Sequence, residues 1–256
     1  MKTISLFIKM NIKRQLAYKK NLFGEFILSS SYYLIQFIFI DQISSLSEGI
    51  GGYKNEDFHL IFLVFILLGV AISIFTHSIE EFFNKVASGR IEPYLVKPIS
   101  IWVLILFGWS KPLNIIMFVF LAFFALSFSS LPMVTKDAIQ WAEFIVSIIC
   151  MFIINLSFFI IFNFFTFISH RKMPVDYFHE MIYELSIVPV NFFPHGLVKY
   201  FLFALPMAFS ASLPVSFFLG RNDWNIGYLI ISTVFFMLGT LFFYRWGIRK
   251  FNGLGG

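Results

Sequence analysis

Charge is what this sequence has least of. Only 13% of its 256 residues are Asp, Glu, Lys or Arg, against about a quarter in an ordinary soluble domain. So few charges cannot cover a water-facing surface. With 59% hydrophobic residues and a mean hydropathy of +0.82, the chain reads as an all-α polytopic membrane protein. There is one cysteine, Cys150, inside an apolar run. That excludes an intrachain disulfide and any Cys-based metal spacing, and leaves a small packing residue. The chain lacks GxxxxGK[ST] and has no Gly-Lys pair at all, which excludes nucleotide binding by the P-loop route. HExxH and GxSxG are also missing, and the five histidines stand singly. His77 and His170 fall near span ends, where packing at the interface is the simplest role. No catalytic residue and no metal site is expected. The net charge of +5 is not a nucleic-acid footprint, because Lys and Arg mark the cytoplasmic side of membrane proteins.

What is present is a series of apolar runs. A helix needs about 20 mostly apolar residues to span a bilayer. Spans are expected at 22–40, 59–77, 112–131, 139–167 and 225–244. Lysines from Lys9 to Lys20 interrupt the N-terminus, so it is no cleavable signal. Residues 3–18 place Ile4, Phe7, Ile8, Ile12 and Leu16 on one helical face, the pattern of a basic amphipathic helix lying at the interface (about 1–20). Lys and Arg cluster in this segment, in the loop 78–99 (Lys85, Arg90, Lys97), after 167 (Arg171, Lys172) and in the tail (Arg245, Arg249, Lys250). The loops 41–58 and 132–138 are poor in them. Both termini are therefore expected in the cytoplasm, with an even number of spans. Six fit, in a single domain covering 1–256. Either of two segments could be the fifth: hydropathy selects 196–219, which Pro206 and Pro214 interrupt, and the alternative is the more polar stretch 174–191, shielded within the protein.

Polar residues in such a chain are informative. Asp176, His179, Glu180 and Glu184 share one helical face by their spacing. They suit a solvated surface helix, a polar stripe on a translocation path, or a proton relay. Glu25, in the first apolar run, is either solvated near the interface or buried against a cation such as a Lys or Arg of the N-terminal helix.

Three stretches carry a family resemblance. ASGRIEPYLVKP (87–98) follows the acidic, apolar helix end SIEEFFNKV. The segment 188–220 is marked by Pro189, Pro194, Pro206 and Pro214. The tail RWGIRKFNGLGG (245–256) is basic, aromatic and glycine-rich. Together they resemble the ABC-2 type permeases, in particular the bacterial six-span branch of about 260 residues with no ATPase of its own. Pro93 departs from the family pattern, which usually has a basic or polar residue there.

The resemblance implies a fifth span at 174–191, and a re-entrant helical hairpin at 196–219 forming an outer gate that includes Pro194, Tyr200, Pro206 and Pro214. It implies a coupling loop at 78–99, a short helix 78–87 stopped by Gly89 and braced by Pro93 and Pro98, on which a separate ATP-binding subunit docks. Glu80, Glu81, Gly89, Arg90, Glu92, Lys97 and Pro98 would form that contact, with charge supplying orientation. Two copies of the chain would pair in the inner membrane above two ATPase subunits. ATP and magnesium would sit on those subunits, so the chain itself needs no cofactor. The expected activity is export of a hydrophobic or peptide-like compound, such as an antimicrobial or toxin, along a path carrying Asp176, His179, Glu180 and Glu184. A proton-coupled secondary transporter using that acidic stripe, and a non-transporting membrane scaffold, are the rival readings.

Overall fold

The computed structural model describes residues 2–46, 52–128, 137–169, 171–221 and 225–250, and the regular structure among them is helical. Residues 132–136, His170 and the tail beyond Lys250 lie outside the described residues. Four helices among the described residues are long and apolar enough to cross a membrane: α2 (Lys19–Leu46), α3 (Asn55–Ala87), α7 (Ala138–Asn163) and α12 (Ile226–Lys250). They follow α1 (Lys2–Ala17) and alternate with shorter helices: α4 (Glu92–Leu95), α5 (Ile101–Phe107), α6 (Asn114–Phe128), α8 (Thr166–Ser169), α9 (Val175–Glu184), α10 (His195–Ala204) and α11 (Ser212–Phe218).

Helix α3 is the axis of the bundle. Ile61, Phe62, Leu63, Val64, Phe65 and Ile66 are consecutive and all buried, as expected of a helix that is apolar all round. It packs against α2, α5, α6, α7 and α11, while α7 also carries α12. The side chains define two poles. At one, His59 meets Asp41 at 2.9 Å and Arg221 meets Asp57 at 2.8 Å. At the other, Phe83 packs on Phe164, and Lys85 lies over Trp109.

Helix α1 is fixed to the second pole by its inner face. Asn11 donates to the Phe107 carbonyl at 2.8 Å, Arg14 donates to the Trp109 carbonyl at 3.1 Å, and Gln15 accepts from the Leu113 N–H at 3.1 Å. Leu16, expected on the same face, is exposed. The face held to the protein is that of Asn11, Arg14 and Gln15, and Leu16 lies round the helix from it.

Three elements differ from the expected plan. The segment 78–87 is not a separate short helix, because α3 runs through it to Ala87. Nothing between Ala71 and Ala87 breaks a helix, and Ile79, Phe82, Phe83 and Val86 continue the buried stripe. The third crossing, expected at 112–131, is the 15-residue α6 in its described part. The fifth, 174–191, is not one continuous helix. Ten residues of α9 lead into 3-10 turns at Leu185–Ile187 and Val190–Phe192. The break falls at Val188, which is extended because Pro189 follows it.

Residues 194–221 form a broken hairpin. Phe192 packs on Tyr53 at the first pole. From there α10 runs along α12, where the Ser232 hydroxyl donates to the Leu202 carbonyl. Leu205 leaves helical geometry ahead of Pro206, and a 3-10 turn, Pro206–Phe209, makes the tip. Helix α11 returns beside α7, with Phe218 against Trp141, and the chain after it reaches Arg221 back at the first pole. Pro214 is tolerated because it sits in the first turn of α11, where N–H groups have no helical partner. Gly220 closes α11 with φ +71, and an added Cβ would stand 2.5 Å from the Gln140 amide.

Candidate functional site

The polar residues of α9 divide between two faces. Val175, His179, Ile182 and Tyr183 recur at i, i+4, i+7 and i+8 and are buried. Asp176, Glu180 and Glu184 fall on the outer side and line a cleft of about 220 Å³ between α2, α3 and α9. His179 therefore does not stand among the carboxylates as an equal member. Its ring forms part of the cleft wall, but its Nε2 is 2.7 Å from Asn155 Oδ1.

The direction of that hydrogen bond follows from its neighbours. The Asn155 amide nitrogen donates to the Met151 carbonyl at 2.7 Å and to Ser210 Oγ at 2.9 Å. Its oxygen must therefore face the imidazole, and His179 Nε2 is the donor. A buried chain of hydrogen bonds thus ties α9 to the middle of α7 and to the tip of the hairpin. Tyr183 adds a tie to α3, donating to the Phe65 carbonyl at 2.8 Å. Gly69 lies beside it: a Cβ there would sit 3.4 Å from the tyrosine ring and hydroxyl, an ordinary contact.

The opposite wall of the cleft comes from α2. Tyr32 donates to Glu184 at 2.6 Å and accepts from Gln36 at 2.8 Å. The lower wall includes Glu80 of α3. Glu80, expected in the coupling loop, thus belongs to the cleft. Among the described residues no Lys or Arg lines the cleft; Lys172 reaches only the edge, 4.0 Å from Asp176 with both side chains about half exposed, a weak pairing. The cleft is thus acidic, with tyrosine and phenylalanine rings (Tyr32, Tyr33, Phe65, Tyr183) as its other main surface. Glu25 is not among these acids. It pairs with Lys111 rather than with the N-terminal helix, both oxygens 3.0 Å from the ammonium.

The loop after α3 is rigidly built. The Arg90 N–H donates to the Lys85 carbonyl at 2.8 Å and the Gly89 N–H to the Val86 carbonyl at 3.1 Å, the paired bonds of a Schellman stop. Gly89 supplies the φ of +69 this requires. Ile91 is then fully buried, and Tyr94 of α4 packs edge-on to Trp109 at 5.3 Å. Trp109 is itself held by its N–H on Ser78 Oγ at 2.9 Å. Lys97 covers the outer face of Tyr94 at 4.9 Å. Between these anchors Arg90, Glu92, Leu95, Val96, Lys97 and Pro98 are exposed. Glu81 stays with the helix, bridged to Lys85 at 3.2 Å.

The hairpin residues do not converge. Pro194 caps α10, and Pro206 and Pro214 are buried, but Tyr200 is 79% exposed on the outer side of α10. Two participants escaped the sequence reading, Asn155 and Ser210, and Glu80 was expected elsewhere, in the coupling loop. The first had a signal, being an amide in the middle of a 26-residue apolar helix. Ser210 had none, since a serine in a loop is ordinary.

Against known proteins, a family model described as an ABC-2 family transporter protein matches residues 30–255. No curated protein and no solved structure matches.

Proposed function

Because this chain belongs to the ABC-2 family of transporter proteins, we propose that it is the membrane subunit of an ATP-driven exporter and that a separate subunit hydrolyses ATP. One observation carries this reading. One unbroken helix, α3, joins the acidic cleft it helps to line to the anchored knob at 89–98 that follows its end. The 33 residues of α3 make a rod about 50 Å long at 1.5 Å per residue. Its C-terminal end carries the knob, its middle (Gly69 to Glu80) lines the cleft, and its N-terminal end holds Asp57 against Arg221. A push on the knob therefore moves cleft and far pole together. A partner ATPase would grip Arg90, Glu92, Leu95, Val96 and Lys97, where exposed apolar and charged groups stand side by side. That face is the cytoplasmic one, in the inner membrane, with both termini on the same side.

Glu180 and Glu184 are exposed on a segment that crosses the bundle. Carboxylates facing lipid at that depth are costly. A second copy of the chain, placed across the cleft, would remove them from lipid and enclose a path between the two. The hairpin 194–221 would close that path on the outer side. An acidic cleft with aromatic walls suits a hydrophobic or peptide-like cargo carrying positive charge, such as an antimicrobial compound.

The test is a mild-detergent pull-down of the tagged chain from its native host. A stoichiometric subunit with a Walker motif is expected. Recovery of this chain alone, in more than one detergent, overturns the reading. A proton-coupled carrier would instead lose pH-driven flux in Asp176→Asn/Glu180→Gln.

A further inference from the structure

Outside the acidic cleft, basic and apolar surfaces meet where α1 hands over to α2. From Met1 to Ile40 the sequence holds six Lys or Arg and one acid, Glu25. With its inner face locked onto the segment before α6, α1 leaves Lys9 and Lys13 exposed, and Leu6, Met10 and Leu16 lie exposed between the charges. That is the surface of a helix seated among lipid headgroups.

Directly beside it, α2 and α6 diverge and leave a groove of about 440 Å³. Its walls are Leu22, Phe23 and Phe26 from α2, Leu113 just ahead of α6, and Ile116 and Met117 from α6. Lys19, exposed, stands on its lining at the end nearest α1. Glu25 also lines it, but Lys111 neutralises it through both carboxylate oxygens. Asn114 has turned its amide to Ser73 Oγ at 3.0 Å. What remains is an apolar slot with a cationic mouth.

We propose that this groove holds one anionic phospholipid of the leaflet in which α1 lies. An acyl chain fills the slot against Phe23, Phe26 and Met117, and the phosphate sits at Lys19. Any phospholipid supplies the chain; only an anionic one also gains at the mouth. A juxtamembrane lysine is worth about a fivefold preference for anionic lipid.

Native mass spectrometry of the purified full-length protein tests this, with phosphatidylglycerol and phosphatidylcholine of matched chains added in turn. Wild type should retain phosphatidylglycerol preferentially. Lys19→Ser should lower that retention about fivefold and leave phosphatidylcholine unchanged. Ile116→Trp, at an exposed wall position where folding is not at stake, should fill the slot and lower both. Lys9→Ser/Lys13→Ser, away from the groove, should change neither. Equal retention of the two lipids overturns the proposal, as does a Lys9/Lys13 effect as large as that of Lys19, which would mean a diffuse basic surface. Cysteines placed at Phe23 that crosslink two copies in native membranes would assign the groove to a second subunit and overturn it too.

Discussion

Replacing Asn155 with leucine tests the buried link between α9, α7 and the hairpin tip. The substitution keeps the branching and the number of side-chain heavy atoms, though methyl groups are bulkier than the amide, and removes three hydrogen bonds. The Met151 bond is local and its loss is small, because that carbonyl keeps its place in the helix. Ser210 can rotate its hydroxyl toward a carbonyl in its own turn. His179 has no such freedom. It is buried between Phe159, at 4.5 Å, and Tyr183, at 5.6 Å, so its Nε2–H is left without an acceptor. An orphaned buried donor costs about 1–3 kcal/mol, so Asn155→Leu should destabilise by about 2 kcal/mol. His179→Phe alone leaves the Asn155 oxygen bare and should cost about 1–2 kcal/mol. With both partners apolar, neither group is orphaned, so the double variant should cost much less than the sum. Intramembrane couplings average about 0.6 and reach about 1.7 kcal/mol; full burial at a 2.7 Å contact places this pair toward the upper end. Reversible unfolding in mixed micelles, titrated with denaturing detergent, gives all four corners of the cycle. A double variant additive to within about 0.3 kcal/mol would refute the reasoning and leave the three residues as neighbours rather than a unit.

Arg221→Ala should cost about 3 kcal/mol in the same assay, because Asp57 is 5% exposed and would keep only the Lys54 N–H at 3.0 Å. The lost stacking on Tyr53, at 3.9 Å, adds to this. Gly89→Val should cost about 1–2 kcal/mol locally and uncouple ATP hydrolysis from transport, since φ at this stop is +69; normal coupling would separate the knob from the drive. Glu92→Arg should weaken ATPase docking, read by co-purification, with the fold unchanged. Asp176→Asn/Glu180→Gln should lower stimulation of the assembled ATPase by cationic amphiphiles more than by neutral ones of the same size, and equal loss for both would remove charge from the recognition.

The all-helical membrane class was legible from composition, and four long helices begin within a few residues of the apolar runs that announce them, although α3 continues well past the end of its run. Periodicity also marked α9 as amphipathic. It could not say that His179 turns inward while Glu180 and Glu184 stay out, since the spacing allows one wide face and the partners on α7 and α2 decide where it divides. The separate helix 78–87 failed for a related reason. Charges at Glu80, Glu81 and Lys85 read as a boundary, but one buried stripe runs through them.

What the sequence determined by itself is solvent and class: too little charge for water, runs long enough for lipid, and motif patterns shared with one transporter family. Proline positions also set where backbone must break, at 189 and 206, because the ring removes a donor and restricts the residue before it. Tertiary structure decided which polar residues meet. Glu80 joins the cleft from nearly a hundred positions away, Glu25 finds Lys111, and Asn155 finds both His179 and Ser210. In an apolar interior a polar group must take whatever partner the packing brings within about 3 Å, and that distance is set by how helices lie against one another, which no single run of residues encodes.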